Sequence, residues 1–182
     1  SIYIFKAESP GPTASKFVSK MRSTALILYA IYLGLTAILT VMLVCGGVSF
    51  FESLLQAFAT AATGGFSTRN NSIAGFNSVY VEMVIAVFML LYGVNFNVFY
   101  LILIGKFKKA FASEELRVYS LILFGAVVAI VVDLIIAGAQ FGEALRLSFF
   151  QVTSISSTTG FSTANFDGWP SFSKGILLFL MI

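Results

Sequence analysis

Residues 23–51 contain no charged side chain, and this run limits the folds open to the chain more than any other feature. A helix needs ~20 apolar residues to cross ~30 Å of hydrocarbon. The stretch STALILYAIYLGLTAILTVMLVC at residues 23–45 exceeds that length before reaching Gly46 and Gly47, where a helix stops easily. Two further runs of spanning length follow, MVIAVFMLLYGVNFNVFYLILIG at 83–105 and VYSLILFGAVVAIVVDLIIAGAQ at 118–140, the latter interrupted by Asp133. The apolar stretch at 175–182 is too short to cross and reads as the start of a fourth span. Charged residues make up 10% of the chain, against about 25% in soluble domains, so the bilayer is its natural solvent.

The same composition removes most enzyme classes. With no histidine, His-ligated zinc or iron centres and a Ser-His-Asp triad cannot be built. Cys45 is the single cysteine and offers neither a disulfide framework nor a thiolate metal site. The reading is therefore of a non-enzyme with no cofactor in the chain.

Sidedness follows from the basic residues. Lys6, Lys16, Lys20 and Arg22 precede the first span, and Lys106, Lys108, Lys109 and Arg117 lie between the second and third, so eight of eleven share one side. By the positive-inside rule that side is the cytoplasm. The net charge of +3 then needs no nucleic acid as partner. The run from Lys106 to Lys109 also suits anionic lipid heads or a soluble partner. The N-terminal segment has no signal-peptide pattern and reads as the middle of a longer chain. The expected division is a cytoplasmic linker at 1–22, one unit at 23–105, a cytoplasmic loop at 106–117 and a second, shortened unit at 118–182.

Between the spans lie two uncharged but polar stretches, SLLQAFATAATGGFST at 53–68 and LSFFQVTSISSTTGFST at 147–163. Each is too short and too polar to cross lipid alone, so both read as re-entrant segments entering from outside. Such backbone survives at membrane depth only when buried in protein or lining a wet cavity. A shift of 95 positions aligns the two without a gap and gives eight identities in eighteen positions: Ser53/Ser148, Gln56/Gln151, Thr63/Thr158, Gly65/Gly160, Phe66/Phe161, Ser67/Ser162, Thr68/Thr163 and Asn70/Asn165. The same shift lays the first span on the third. Repeats in membrane proteins place their common site near the repeat interface. The predicted fold is all-α: repeated units of helix, re-entrant pore helix, filter loop and helix, as in potassium channels.

The loops read Thr63, Gly64, Gly65, Phe66 and Thr158, Thr159, Gly160, Phe161. Both give Thr, any residue, Gly, aromatic, which is how the potassium-channel loop TVGYG begins. A dehydrated cation needs oxygen ligands, and backbone carbonyls supply them without adding net charge. Gly65 and Gly160 can take positive φ and so turn consecutive carbonyls toward one axis. The helix before each loop aims its partially negative end at the same place. Phe66 and Phe161 are expected to wedge the loops against surrounding helices. A helix C-cap followed by a turn is the bland alternative, weakened by the repetition in register.

Three further polar residues sit within spans. Asn95 and Asn97 follow Gly93 in the second run; Asn95 either faces the pore and supports a loop, or makes an ordinary interhelical hydrogen bond. Gly93 is a hinge or a close-packing point. Asp133 is an intramembrane carboxylate and so a functional candidate, although its place near the outer third fits a hydrated end equally well. Glu52 and Glu143 are out of register in the repeat and fit helix N-terminal charges better than an ion site.

With ATGGFST, STTGFST and GVNFN in place, the chain resembles the Trk/Ktr/HKT superfamily of potassium transporters, and most closely the bacterial Trk-type integral subunit. The segment KAESPGPTASKFVSKMRSTA resembles the linker before that subunit's second repeat. The resemblance implies four span-pore-span repeats around one path, with this chain as the second and most of the third. It carries the filter glycine onto Gly65 and Gly160, with carbonyls of Thr63, Gly64, Thr158 and Thr159 beside them, and K+ as the transported ion. Glycine at both positions resembles the potassium-selective rather than the serine-bearing sodium pattern. As partners it implies the remaining repeats, a homodimer, a cytoplasmic ring that binds nucleotides, and the lipid of the cell inner membrane. A sodium-permeable or non-conducting scaffold subunit of the same architecture stays open as the alternative.

Overall fold

The computed structural model describes residues 21–181, and these form eight α-helices and two short 3-10 turns with no strand among them. The linker expected at 1–22 lies almost wholly outside the described residues. The first span is α1 (Met21–Cys45), ended by Gly47 at φ +84°. The N–H of Gly47 donates to the Val44 carbonyl and that of Val48 to the Leu43 carbonyl, the paired bonds that close a helix C-terminus. Ser49 then starts α2 (Phe50–Ala61), its hydroxyl accepting from the Glu52 N–H and donating to the Glu52 carboxylate.

The second apolar run departs from the sequence reading. It does not continue as one helix over 83–105: α3 (Val79–Gly93) and α4 (Phe96–Leu103) meet at a bend of 91°. Fifteen residues at ~1.5 Å each reach about 22 Å, short of a full hydrocarbon core. The break has a local cause. Val94 is extended, and Asn95 caps α4 by accepting from the Asn97 N–H, a bond that competes with helix continuation. A short α5 (Phe107–Phe111) leads to α6 (Glu114–Ile136), the second helix that crosses in one piece by length and composition. Then follow α7 (Phe141–Ser156) and α8 (Ser171–Leu180).

The two re-entrant stretches are helical as expected but begin earlier, at Phe50 and Phe141, so Glu52 and Glu143 fall in the first turns of α2 and α7. The same order of long helix, re-entrant helix, loop and further helix thus occurs twice, as α1, α2, α3 and as α6, α7, α8. Leu39 and Leu43 of α1 meet Ala57 of α2 and Ile85 and Met89 of α3 in one buried cluster, which also takes in Phe150 and Phe161 of the second unit. Leu123, Ile130 and Leu134 of α6 meet Val152 of α7 and Leu177 of α8 in another. The first core therefore extends across the unit boundary.

Apolar side chains on the outer faces stay uncovered: Leu121, Phe124 and Ile136 of α6 are 74%, 72% and 79% exposed. In water that would be a liability, and against acyl chains it is ordinary. Thr36, Thr40, Thr60 and Thr153 satisfy their hydroxyls locally by donating to carbonyls four residues back, whereas buried Gln56 and Ser148 of the two re-entrant helices find no partner among the described residues.

Candidate cation-binding loops

Both re-entrant helices, α2 and α7, end in the same way. Beyond Ala61, the N–H of Thr63 donates to the Thr60 carbonyl and that of Gly64 to the Ala59 carbonyl. Beyond Ser156, Thr158 and Thr159 make the matching bonds to Ile155 and Ser154. This is the Schellman closure, with threonine where glycine is usual. Thr63 and Thr158 accordingly hold φ of +50° and +58°. A β-branched residue there is an outlier, and strain of that kind concentrates at functional sites. Sequence reasoning expects left-handed backbone only at the glycines. Gly65 and Gly160 do adopt it, at +68° and +79°, so each loop carries the same alternation of left-handed, right-handed or extended, and left-handed residues.

The two loops meet. A Cβ on Gly65 would stand 2.5 Å from the Thr159 carbonyl oxygen, so that carbonyl is packed against the Gly65 backbone. Among the described residues the carbonyls of residues 63–65 and 158–160 accept no hydrogen bond from the protein. The run of free oxygens stops abruptly in the second loop: the Phe161 carbonyl accepts from the Ser154 hydroxyl at 2.6 Å, and the Ser162 carbonyl from the Ile73 N–H at 3.2 Å. Ser157 and Thr159 share a buried hydroxyl hydrogen bond of 2.8 Å behind the loop.

The aromatic pair splits. Phe161 is fully buried in the first unit's core and wedges its loop as expected, whereas Phe66 is 81% exposed. The residue type is the same and the neighbour differs, because the second loop has a preceding unit to pack into and the first loop faces open space within this chain.

Asn95, Asn97 and Asp133 make their side-chain or cap hydrogen bonds to residues outside the two loops. Asn95 is the N-cap of α4, and its amide donates to the Glu115 carboxylate at 2.9 Å; Asn97 contributes its N–H to that cap. A Cβ on Gly93 would collide with the Tyr119 hydroxyl, which makes Gly93 a close-packing point between α3 and α6 as well as the last residue before the bend. Asp133, in the last turn of α6, accepts from both the backbone N–H and the hydroxyl of Ser173, at 3.0 and 2.6 Å. In the first unit Ser78 caps α3 with its own hydroxyl. Pro170 cannot do this for α8, and Asp133 supplies the missing acceptor from the neighbouring helix. Asp133→Ala is expected to lower stability by about 1–3 kcal/mol by stranding buried donors, with Asp133→Asn losing less because it keeps an acceptor. Thermal unfolding of the two variants measures this, and equal losses would contradict the capping role.

Sequence reasoning missed the ion pair of Arg146 with Glu82, at 3.0 Å, which ties the second re-entrant helix α7 to α3. The available signal was Glu82 as the single charge of the apolar α3 and Arg146 as the one basic residue of α7. Arg69, just past the first loop, pairs with Glu52 at 3.0 Å and lies over the Phe76 ring.

Compared with known proteins, the family described as TrkH, cation transport protein, matches residues 7–182. The Trk system potassium uptake protein TrkH of Escherichia coli strain K12 is 32% identical over 179 residues, covering 96% of this chain and 37% of its own length. The protein of the same name from Halomonas elongata is 32% identical over 181 residues, with 98% and 37% covered. The crystal structure of the potassium transporter TrkH from Vibrio parahaemolyticus is similar with a TM-score of 0.85 and 29% identity, over 98% of this chain and 39% of that one. The chain therefore spans little more than a third of the length of these proteins.

Proposed function

Because this chain belongs to the TrkH family of cation transport proteins, we propose that it supplies two neighbouring units of a pore through which potassium enters the cell. In this reading K+ exchanges its hydration shell for carbonyls of Thr63, Gly64, Gly65, Thr158, Thr159 and Gly160, and Phe161 anchors the second loop from behind. The observation that carries it is the pair of abutting loops, each with left-handed backbone at the same two positions and with free carbonyls between them. The work is selective dehydration and permeation, with no bond made or broken.

The units comprise residues 23–105 and 118–182, joined by a cytoplasmic loop at 106–117 and preceded by a cytoplasmic linker. Further units of the parent subunit complete the ring, and one of them covers the exposed face of Phe66. The parent sits in the inner membrane as a homodimer and is regulated by a nucleotide-binding ring on the side where Lys106, Lys108 and Lys109 lie. A second reading, a scaffold whose threonine-glycine loops only close helices, has one observation in its favour: both loops do complete Schellman closures.

Flux separates the two. The full-length parent, expressed in a bacterium stripped of potassium uptake, is expected to restore growth at low potassium and to take up radioactive rubidium. Normal membrane insertion with no rubidium uptake under any nucleotide condition would favour the scaffold.

A further inference from the structure

Ser72 lies outside both T-x-G-F motifs, in the 3-10 turn Ser72–Phe76 that follows the first loop. It nevertheless reaches the second. Its hydroxyl oxygen accepts from the Ser162 N–H at 3.2 Å, and the N–H of the next residue, Ile73, donates to the Ser162 carbonyl at 3.2 Å. Both main-chain groups of the residue that ends the second filter segment are thus held by the first unit, from 90 positions away in sequence. Ile73 is fully buried in the same cluster as Phe161, so the turn that makes these bonds is itself fixed.

Two features set Ser72 apart from a passing contact. Its φ is +53°, a conformation serine adopts at a cost, and it brings the hydroxyl to the outer edge of the second loop. The second loop is also the more firmly held of the two. Ser154 bonds the Phe161 carbonyl, whereas the position one repeat earlier is Ala59, which has no hydroxyl. The free carbonyls of residues 158–160 therefore lie between a fixed helix end and a fixed Ser162.

We propose that Ser72 is a positioning residue for cation selectivity, a strap from the first unit that sets where the second loop's free carbonyls stand. It touches no ion. It acts through Ser162, and the inference rests on the reading of residues 158–160 as part of the ion path. A loop released at one end can relax around a smaller ion, so discrimination falls while the fold persists.

Three variants of the full-length parent, reconstituted in liposomes, test this by rubidium uptake in competition with sodium. Ser72→Gly removes the hydroxyl and relieves the left-handed strain, so it is expected to keep or raise thermal stability. It should lower the potassium-over-sodium ratio about threefold to tenfold, the worth of one hydrogen bond. Ser72→Asn tolerates the same φ and restores an acceptor, and is expected to recover most of the ratio. Gly160→Ala serves as the control on the filter itself. A Ser72→Gly protein with wild-type selectivity beside an altered Gly160→Ala protein overturns the strap alone. Wild-type selectivity in both overturns the strap together with the filter assignment. A Ser72→Asn protein as impaired as Ser72→Gly also counts against the strap.

Discussion

Gly65→Ala is expected to cut rubidium uptake by the full-length parent, under the proposed function, tenfold or more while leaving the protein in the membrane. Two costs coincide at this position. Alanine at φ +68° is strained, by about 1–2 kcal/mol. Its Cβ would also stand 2.5 Å from the Thr159 carbonyl oxygen. That neighbour is backbone, so relief means moving one loop away from the other, with an overpacking cost of roughly 1–3 kcal/mol. The sum of roughly 2–5 kcal/mol exceeds the 1.4 kcal/mol that separates tenfold steps in an equilibrium. Because the displaced atom is a proposed ion ligand, the damage falls on permeation and selectivity together. Gly160 has the same left-handed backbone but open space around its Cβ within this chain, so Gly160→Ala is expected to be the milder of the two unless a further unit closes on it. Wild-type flux and selectivity in Gly65→Ala would remove the loops from the ion path.

The second large effect is on stability. Arg146→Ala leaves Glu82, whose side chain is 7% exposed, without its partner between α3 and α7. Breaking a buried pair from one side costs about 3–5 kcal/mol, because a charge stays behind in a poor solvent. The Arg146 side chain is 30% exposed, which places the expected loss toward the lower end. Removing both charges, with Glu82→Leu and Arg146→Leu combined, should recover much of the loss, since apolar replacements avoid desolvating either ion. Thermal unfolding in detergent of the wild type, the single variants Glu82→Leu and Arg146→Leu, and their combination gives the coupling energy directly. Additive losses would mean that the pair contributes nothing as a pair.

This ion pair lies at the junction between units, where α7 of the second packs on α3 of the first. Phe161, Ser162, Glu82 and Arg146 all act across that junction. The proposed ion ligands of the second loop are therefore positioned largely by the first unit. The pore helices end identically, yet their loops differ in support, because only the second loop has its preceding unit within this chain.

Much of this was legible in the sequence, for identifiable reasons. The uncharged runs gave membrane spans because burying unpaired charge in hydrocarbon is costly, and the two helices long and apolar enough to cross in one piece fall on the first and third runs, α6 starting four residues earlier than read. The shift of 95 residues located both loops, and the capacity for positive φ at Gly65 and Gly160 followed from the missing Cβ. The bend within the second run was not legible, because hydropathy registers the apolar character of residues 83–105 and says nothing of their direction. The bend falls at Val94 and Asn95, where the chain is extended and the Asn97 N–H donates to the Asn95 side chain. The strained φ of Thr63 and Thr158 was equally hidden, since threonine is a poor guess for a left-handed site.

Hydropathy, charge placement, repetition and glycine position belong to contiguous residues, and these determined the membrane setting, the helical units and the two candidate loops. The tertiary structure decided which Phe is buried, what Asp133 and Asn95 bind, and how Ser72 reaches Ser162. Those outcomes join residues as far as 90 positions apart, and a contact between distant segments leaves no periodic or compositional trace in either one. It comes into being only when packing brings the two backbones together.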